Sequence, residues 1–251
     1  MKKILVATVI AASLVGCTSV PVGDAKQEGT THWTYSGEEG PENWAKLAPE
    51  FGACAGKNQS PINLTNFIEA NLKPIKFSYQ VGGNEILNNG HTVQVNYAAG
   101  SSISVDDIQF DLKQFHFHAP SENHINGKSY AMETHLVHAD KDGNLAVVAL
   151  MFKEGAENKI LTKIWPSIPK SAGEKNALPS PFAVAQLLPS NRDYYRFNGS
   201  LTTPPCTEGV RWLVIKQPVS ASKEQVEAFL HVMHHSNNRP VQAVNARPVL
   251  Q

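Results

Sequence analysis

The sequence predicts a mainly β, single-domain protein behind a short N-terminal leader. Three observations predict it. Sixteen prolines and seventeen glycines are spread along the 251 residues, the punctuation of many turns between short strands. The segments between them alternate apolar and polar, or run apolar throughout, as half-buried and fully buried strands do. Helical patterns are few and short. Lys plus Arg equals Asp plus Glu, 22 against 22, and no basic or acidic run points to nucleic acid. No internal repeat and no second composition zone divides the chain.

The first segment is not fold. Lys2 and Lys3 precede an apolar run from Ile4 to Gly16, too short to span a bilayer, which takes about 20 residues. Residues 1–16 read as a secretory signal. Leu14-Val15-Gly16-Cys17 resembles the cleavage box of bacterial lipoproteins, in which the cysteine is lipidated; ordinary cleavage that discards Cys17 is the alternative. Residues 17–31 are small and polar and read as a flexible tether. As coil, such a tether spans about 20 Å. A lipid at Cys17 would be the one membrane attachment. Thr18 is not an aspartate-type inner-membrane retention signal, so the expected location is the periplasm, tethered to the outer membrane.

Residues 32–251 form the domain. Setting Cys17 aside leaves Cys54 and Cys206, an even pair that in an exported protein suggests one disulfide; two free buried thiols are the alternative. In chain order, strands are expected at Pro74–Tyr79, His91–Tyr97, Ile108–His118, Ala131–His138, Leu145–Phe152 and Val210–Gln217. Leu145–Phe152 is almost continuously apolar, as a strand buried on both faces is. Short helical segments are expected at Pro41–Leu47, Glu157–Ile164 and Ala183–Leu188. The clearest helix is Ser222–His234, where Ser222 and Gln225 form a capping box. Its terminal His231, His234 and His235 lack an acidic partner and read as solvated surface.

The chemistry lies in Gln114-Phe115-His116-Phe117-His118 and the returning Glu133-Thr134-His135. Alternation along a strand puts His116, His118 and Gln114 on one face and both phenylalanines on the other. Asn126-Gly127 is a strong hairpin signal. Pairing across it sets His118 opposite His135 and His116 opposite Val137, with Pro120 and Ser121 disturbing the ladder. A single histidine on such a face is ordinarily a satisfied core residue. Three together, beside Gln114 and Glu133, form the ligand set of a catalytic zinc ion with one open position.

Four further motifs flank this set in order, Gly40-Pro41-Glu42-Asn43-Trp44, Gln59-Ser60-Pro61-Ile62 and Asn88-Asn89-Gly90-His91 before the two histidine strands and Gly199-Ser200-Leu201-Thr202-Thr203-Pro204-Pro205 after them. On these the chain resembles the α-class carbonic anhydrases, bacterial exported branch, from about His32 to Arg247. The resemblance implies a large, mostly antiparallel, twisted central sheet of about ten strands with small peripheral helices. It implies zinc-dependent, reversible hydration of carbon dioxide to bicarbonate and a proton, with Zn2+ on His116, His118 and His135. It implies that Thr202, donating to Glu122, orients the nucleophile. Thr203 touches bicarbonate, and Val137, Val147, Leu201 and Trp212 line the gas site. Gln114, Glu133 and the Asn237 carbonyl would hold the three ligands, and His91 would shuttle the proton along waters ordered by Tyr35, Asn89 and Gln94. Ser60-Pro61 and Pro204-Pro205 match cis bonds of the family. Three departures stand out: Ala119-Pro120 replaces Trp-Gly of animal members, Asn238 replaces a tryptophan, and Gln94 replaces an asparagine. Two other readings use the same fold: a catalytically silent zinc-binding or surface interaction protein, and side hydrolysis of small esters. The oligomeric state is left open, a dimer included.

Overall fold

The computed structural model describes residues 31–251. The signal expected over 1–16, the lipidation expected at Cys17 and all but the last residue of the 17–31 tether lie outside the described residues.

Thirteen strands and three α-helices are present among the described residues. The strands are β1 Asn63–Leu64, β2 Lys76–Ser78, β3 Val81–Asn88, β4 Val93–Tyr97, β5 Ser102–Val105, β6 Ile108–His118, β7 His124–Ile125, β8 Met132–Ala139, β9 Leu145–Glu154, β10 Lys175–Ala183, β11 Tyr194–Ser200, β12 Glu208–Ile215 and β13 Val219–Ala221. The helices are α1 Trp44–Leu47, α2 Lys159–Ile164 and α3 Lys223–Met233. Each expected strand and helical segment has its counterpart, although the 183–188 segment is a 3₁₀ turn, Val184–Leu187. The α3 capping box forms as its sequence requires, with Ser222 and Gln225 each satisfying the other's backbone N–H.

Eleven strands make one sheet in the order β10-β3-β4-β6-β8-β9-β12-β11, with β5 beside β6, β2 beside β5, and β13 beside β9. Its pairs are antiparallel except those of β9 with β12 and with β13. Residues 146–152 of β9 are buried without interruption. That accounts for their unbroken apolar run, since neither face meets water.

Phe115 and Phe117 are fully buried on one sheet face, packed with Leu136, Val148 and Phe152 and with Phe229 of α3. Phe117 meets Trp165 edge-on at 4.9 Å. Removing a ring packed this way costs about 3–5 kcal/mol, so the histidine strand is anchored by its rear face. The opposite face carries Val147, Trp212, Phe197 and Ile62. A third cluster gathers Trp44, Phe51, Cys54 and Cys206, and the two cysteines form a disulfide with Cα atoms 4.9 Å apart.

The β6–β8 register differs from expectation by two residues. His116 pairs with His135, His118 with Glu133, and Gln114 with Val137. The Asn126-Gly127 turn does form, with φ of 50° and 77°. It closes only a local bridge between Ile125 and Lys128 and is not the apex of the β6–β8 ladder. The ladder ends at His118, where Ala119-Pro120 is cis, and β7 leaves to pair in parallel with β1. A slip of two preserves the face of every side chain, so the histidines still converge.

Candidate metal centre and active site

Two rows of paired residues cross the sheet. One runs Gln94–His116–His135–Ala149–Val214, the next Asn96–Gln114–Val137–Val147–Trp212. Paired residues share a face. The histidines therefore sit at a boundary, with amides of β4 and β6 on one side and the apolar residues of β8, β9 and β12 on the other. Trp212 meets His135 edge-on at 4.8 Å and donates its Nε1–H to Ser200 O at 3.0 Å.

Each imidazole has one nitrogen committed to an acceptor. His116 Nδ1 donates to Gln114 Oε1 at 2.8 Å, His118 Nδ1 to Asn237 O at 2.7 Å, and His135 Nε2 to Glu133 Oε1 at 2.9 Å. The remaining nitrogens are Nε2, Nε2 and Nδ1, and one nitrogen from each ring lies within 4.8 Å of the others. His118 Nε2 is buried with no hydrogen-bond partner among the described residues, a costly state for a polar atom unless a ligand takes it. Three neutral imidazoles with committed outer nitrogens fit a metal ion of the zinc type. Burial holds His116 and His135 well below the ordinary imidazole value, each helped by neighbouring imidazoles. Burial also lowers His118, against the Asn237 carbonyl and Glu133. All three are then lone-pair donors at neutral pH.

Glu133 is saturated. Its Oε2 accepts the backbone N–H groups of Glu122 and Asn123, both at 2.8 Å, and its Oε1 accepts Asn123 Nδ2 at 2.7 Å besides His135. Glu122 is not. Its Oε1 accepts the backbone N–H of Arg239 at 2.9 Å. Its Oε2 has no hydrogen-bond partner among the described residues and lies 3.5 Å from His118 Nε2. Burial pushes Glu122 well above the usual carboxylate value, opposed by the Arg239 N–H and the Thr202 hydroxyl.

Thr202 is buried and Leu201 and Thr203 half-buried, on a segment held by three contacts. Leu201 N donates to Thr207 O at 2.9 Å and Cys206 N to Thr203 O at 2.8 Å. Ser60 and Ser200 exchange backbone-to-hydroxyl bonds at 2.9 and 3.1 Å. Gly199 lies so close to this pair that a Cβ there would run into Ser60 Oγ. Ser60-Pro61 and Pro204-Pro205 are both cis.

His91 is half-buried and tied to the centre through Asn237, whose Nδ2 donates to His91 O at 3.0 Å while its carbonyl accepts from His118. Trp33 stacks on the His91 ring at 3.7 Å. Asn89 Oδ1 accepts the N–H groups of His91 and Thr92, so it shapes the turn and leaves its amide nitrogen for water. Gln94 Nε2 is committed to Asn96 Oδ1 at 2.8 Å, leaving its carbonyl. Tyr35 Oη is buried without a partner among the described residues.

Sequence reasoning missed Trp33, Asn123 and Arg239, and it quoted Ser60 and Ser200 within motifs without giving either a role. Trp33 and Asn123 stand next to or within two residues of motif positions, which is the one signal that could have found them. Arg239 had none.

A three-imidazole centre at the boundary of a polar and an apolar sheet face is the kind of site that metal-dependent enzymes use. The eukaryotic-type carbonic anhydrase family model matches residues 39–251. A carbonic anhydrase of Pectobacterium atrosepticum is 48% identical over 96% of this chain and 97% of its own; one of Neisseria gonorrhoeae is 45% identical over 96% and 95%. The α-carbonic anhydrase of Thermovibrio ammonificans, solved with sulfanilamide, superposes with a TM-score of 0.87 at 50% identity, covering 89% of this chain and all of that one. The chain belongs to the α (eukaryotic-type) carbonic anhydrase family, whose members use zinc. Its reaction is the hydration of carbon dioxide to bicarbonate.

Proposed function

We propose that His116, His118 and His135 hold the zinc ion and that Thr202, Glu122 and His91 complete the catalytic set. The observation that carries this is the trio of inward nitrogens within 4.8 Å of one another, each on a ring whose other nitrogen is already bonded. Zinc bound there supplies Lewis acidity that brings the ionisation of water to about pH 7. The charge of a zinc ion held by the three neutral imidazoles would favour the ionised form of Glu122 beside them. A Thr202 hydroxyl donating to ionised Glu122 has only lone pairs to offer the reacting oxygen. It therefore accepts a nucleophile that bears a proton and disfavours ligands that have none. Val137, Val147, Leu201 and Trp212 offer carbon dioxide an apolar surface beside that nucleophile, and Thr203 takes the polar edge of bicarbonate. His91 accepts the departing proton and passes it to buffer, with Tyr35, Asn89 and Gln94 ordering the water between. The zinc assignment is tested by metal analysis of purified protein. Wild type should carry about one equivalent and His118→Ala far less, since losing a ligand of such a site costs well over tenfold in affinity; equal content in both would reject it.

Export with lipidation at Cys17 is the second part of the reading, supported by the apolar run and the Leu14-Val15-Gly16-Cys17 box. It puts the enzyme in the periplasm on a short tether. Mass spectrometry of the mature N-terminal peptide tests it: a diacylglyceryl cysteine is expected, and a mature end beyond Cys17 would reject it.

A further inference from the structure

Arg239 is among the largest fully buried side chains, 2% exposed. Its guanidinium bonds only neutral oxygens among the described residues: Nη1 to Gln59 Oε1 and Ser60 O, both at 2.8 Å, and Nη2 to Cys54 O at 3.1 Å. Nε has no hydrogen-bond partner there, and the group lies over the Trp44 ring at 5.3 Å. Burying a cation without a carboxylate partner is a poor route to stability, because desolvation is not repaid by a close opposite charge. Burial accordingly pushes the guanidinium down to about 10.

The arrangement makes sense as a ruler. The backbone N–H of Arg239 holds Glu122 Oε1 at 2.9 Å. Its side chain holds Gln59 and Ser60, and these two grip both ends of the Thr202 segment. Ser60 exchanges bonds with Ser200, and Gln59 Nε2 donates to Cys206 O at 3.1 Å. Cys54, whose carbonyl Arg239 also holds, is disulfide-bonded to Cys206. One residue thus touches Glu122 with its backbone and, one residue removed, braces the chain on each side of Thr202. The planar fork suits this task, since it can address several fixed acceptors at once, which a lysine ammonium cannot do in the same geometry.

We propose that Arg239 is a positioning residue that sets the register between Thr202 and Glu122. The inference rests on the reading of those two as the pair that selects proton-bearing ligands. If it holds, loosening the ruler relaxes that selection, so the holoenzyme loses rate and gains affinity for an anion with no proton. Thiocyanate is the probe.

The experiment uses zinc-loaded wild type, Arg239→Lys, Gln59→Met, Thr202→Ala and the Arg239→Lys/Thr202→Ala double variant. It measures kcat/KM for carbon dioxide hydration and the Kd of thiocyanate. Arg239→Lys should lower kcat/KM by about tenfold and tighten thiocyanate by about tenfold, and neither effect should add to that of Thr202→Ala, because coupled residues fail to add. Gln59→Met attacks the same brace from the other side and carries the test if Arg239→Lys does not fold. Unchanged thiocyanate affinity in a folded, zinc-replete variant would overturn the proposal, as would effects that multiply in the double variant. If Thr202→Ala itself leaves both quantities unchanged, the reading of the Thr202–Glu122 pair is what fails.

Discussion

His138 should make the fold acid-labile, and the size of the effect can be worked out. The ring lies on β8 facing away from His135 and is fully buried. Its Nδ1 donates to Ala146 O at 3.2 Å, and its Nε2 meets the Tyr79 hydroxyl at 2.8 Å. Both nitrogens are satisfied in the neutral form, and a second proton on Nε2 would turn the Tyr79 hydroxyl from donor to acceptor and leave its O–H without a partner among the described residues. Burial, the largest cause, lowers its pKa from 6.5 to about 4. The folded value lies below the unfolded one, so the unfolded chain binds the extra proton first. The stabilisation is therefore complete above about pH 6.5 and is lost as pH falls toward 4. At about 1.4 kcal/mol per pH unit, the full loss is about 3 kcal/mol, with about 2 kcal/mol gone by pH 5. Urea unfolding of the holoenzyme at pH 7.5 and pH 5, followed by circular dichroism, measures it against His138→Gln, which cannot titrate. Other acid-sensitive groups are common to both proteins and cancel in the difference. Wild type should lose about 2 kcal/mol more than the variant over that interval. Equal losses would refute the reasoning.

The proton path yields a second prediction. His91→Ala should lower turnover in weak buffer and recover on addition of free imidazole, whereas unchanged turnover would move the role to another group. Burial lowers the His91 pKa, with the charges of His32 and His235 adding to it. The shuttle must be unprotonated to accept, so turnover in weak buffer should rise with pH through a midpoint below the ordinary imidazole value of about 6.5. A midpoint at or above that value would contradict the environment described for the ring.

Local periodicity made much of this molecule readable. Ile108–His118 coincides with its strand because apolar rear-face residues alternate with the site face to the end, apart from one bulge. Ser222–Gln225 marked its helix because a capping box is a local object. The register of β6 on β8 was not local. It depends on a cis Ala119-Pro120 bond and on β7 leaving to pair with β1, and neither has a signature in the hairpin itself. The faces still came out right, because the error of two matches the period of a strand. Strands β3, β10 and β11 were overlooked for compositional reasons. β3 contains Gly82-Gly83, β10 contains Pro179 and Pro181 on a sheet edge, and β11 runs polar through Arg196, Asn198 and Gly199. The site divides in the same way. The three histidines on one face, with Gln114 and Glu133 two residues from His116 and His135, could be read directly, whereas the Asn237 carbonyl and the proposed wider set came from motif resemblance. The brace could not, since Arg239 reaches Gln59, Ser60 and Cys54 across about 180 residues, a distance over which no periodicity operates.

The most direct test of the account is stopped-flow hydration of carbon dioxide by zinc-replete protein, with His135→Ala measured beside it. His135 gives its Nε2 to Glu133 and is proposed to offer Nδ1 to the metal, so its loss would remove one of three proposed ligands while Phe115 and Phe117 still anchor the facing strand. Wild type should hydrate carbon dioxide at a rate proportional to enzyme, and His135→Ala should fall by more than about a hundredfold. Equal rates in the two proteins, or no rate above the uncatalysed reaction in wild type, would contradict it.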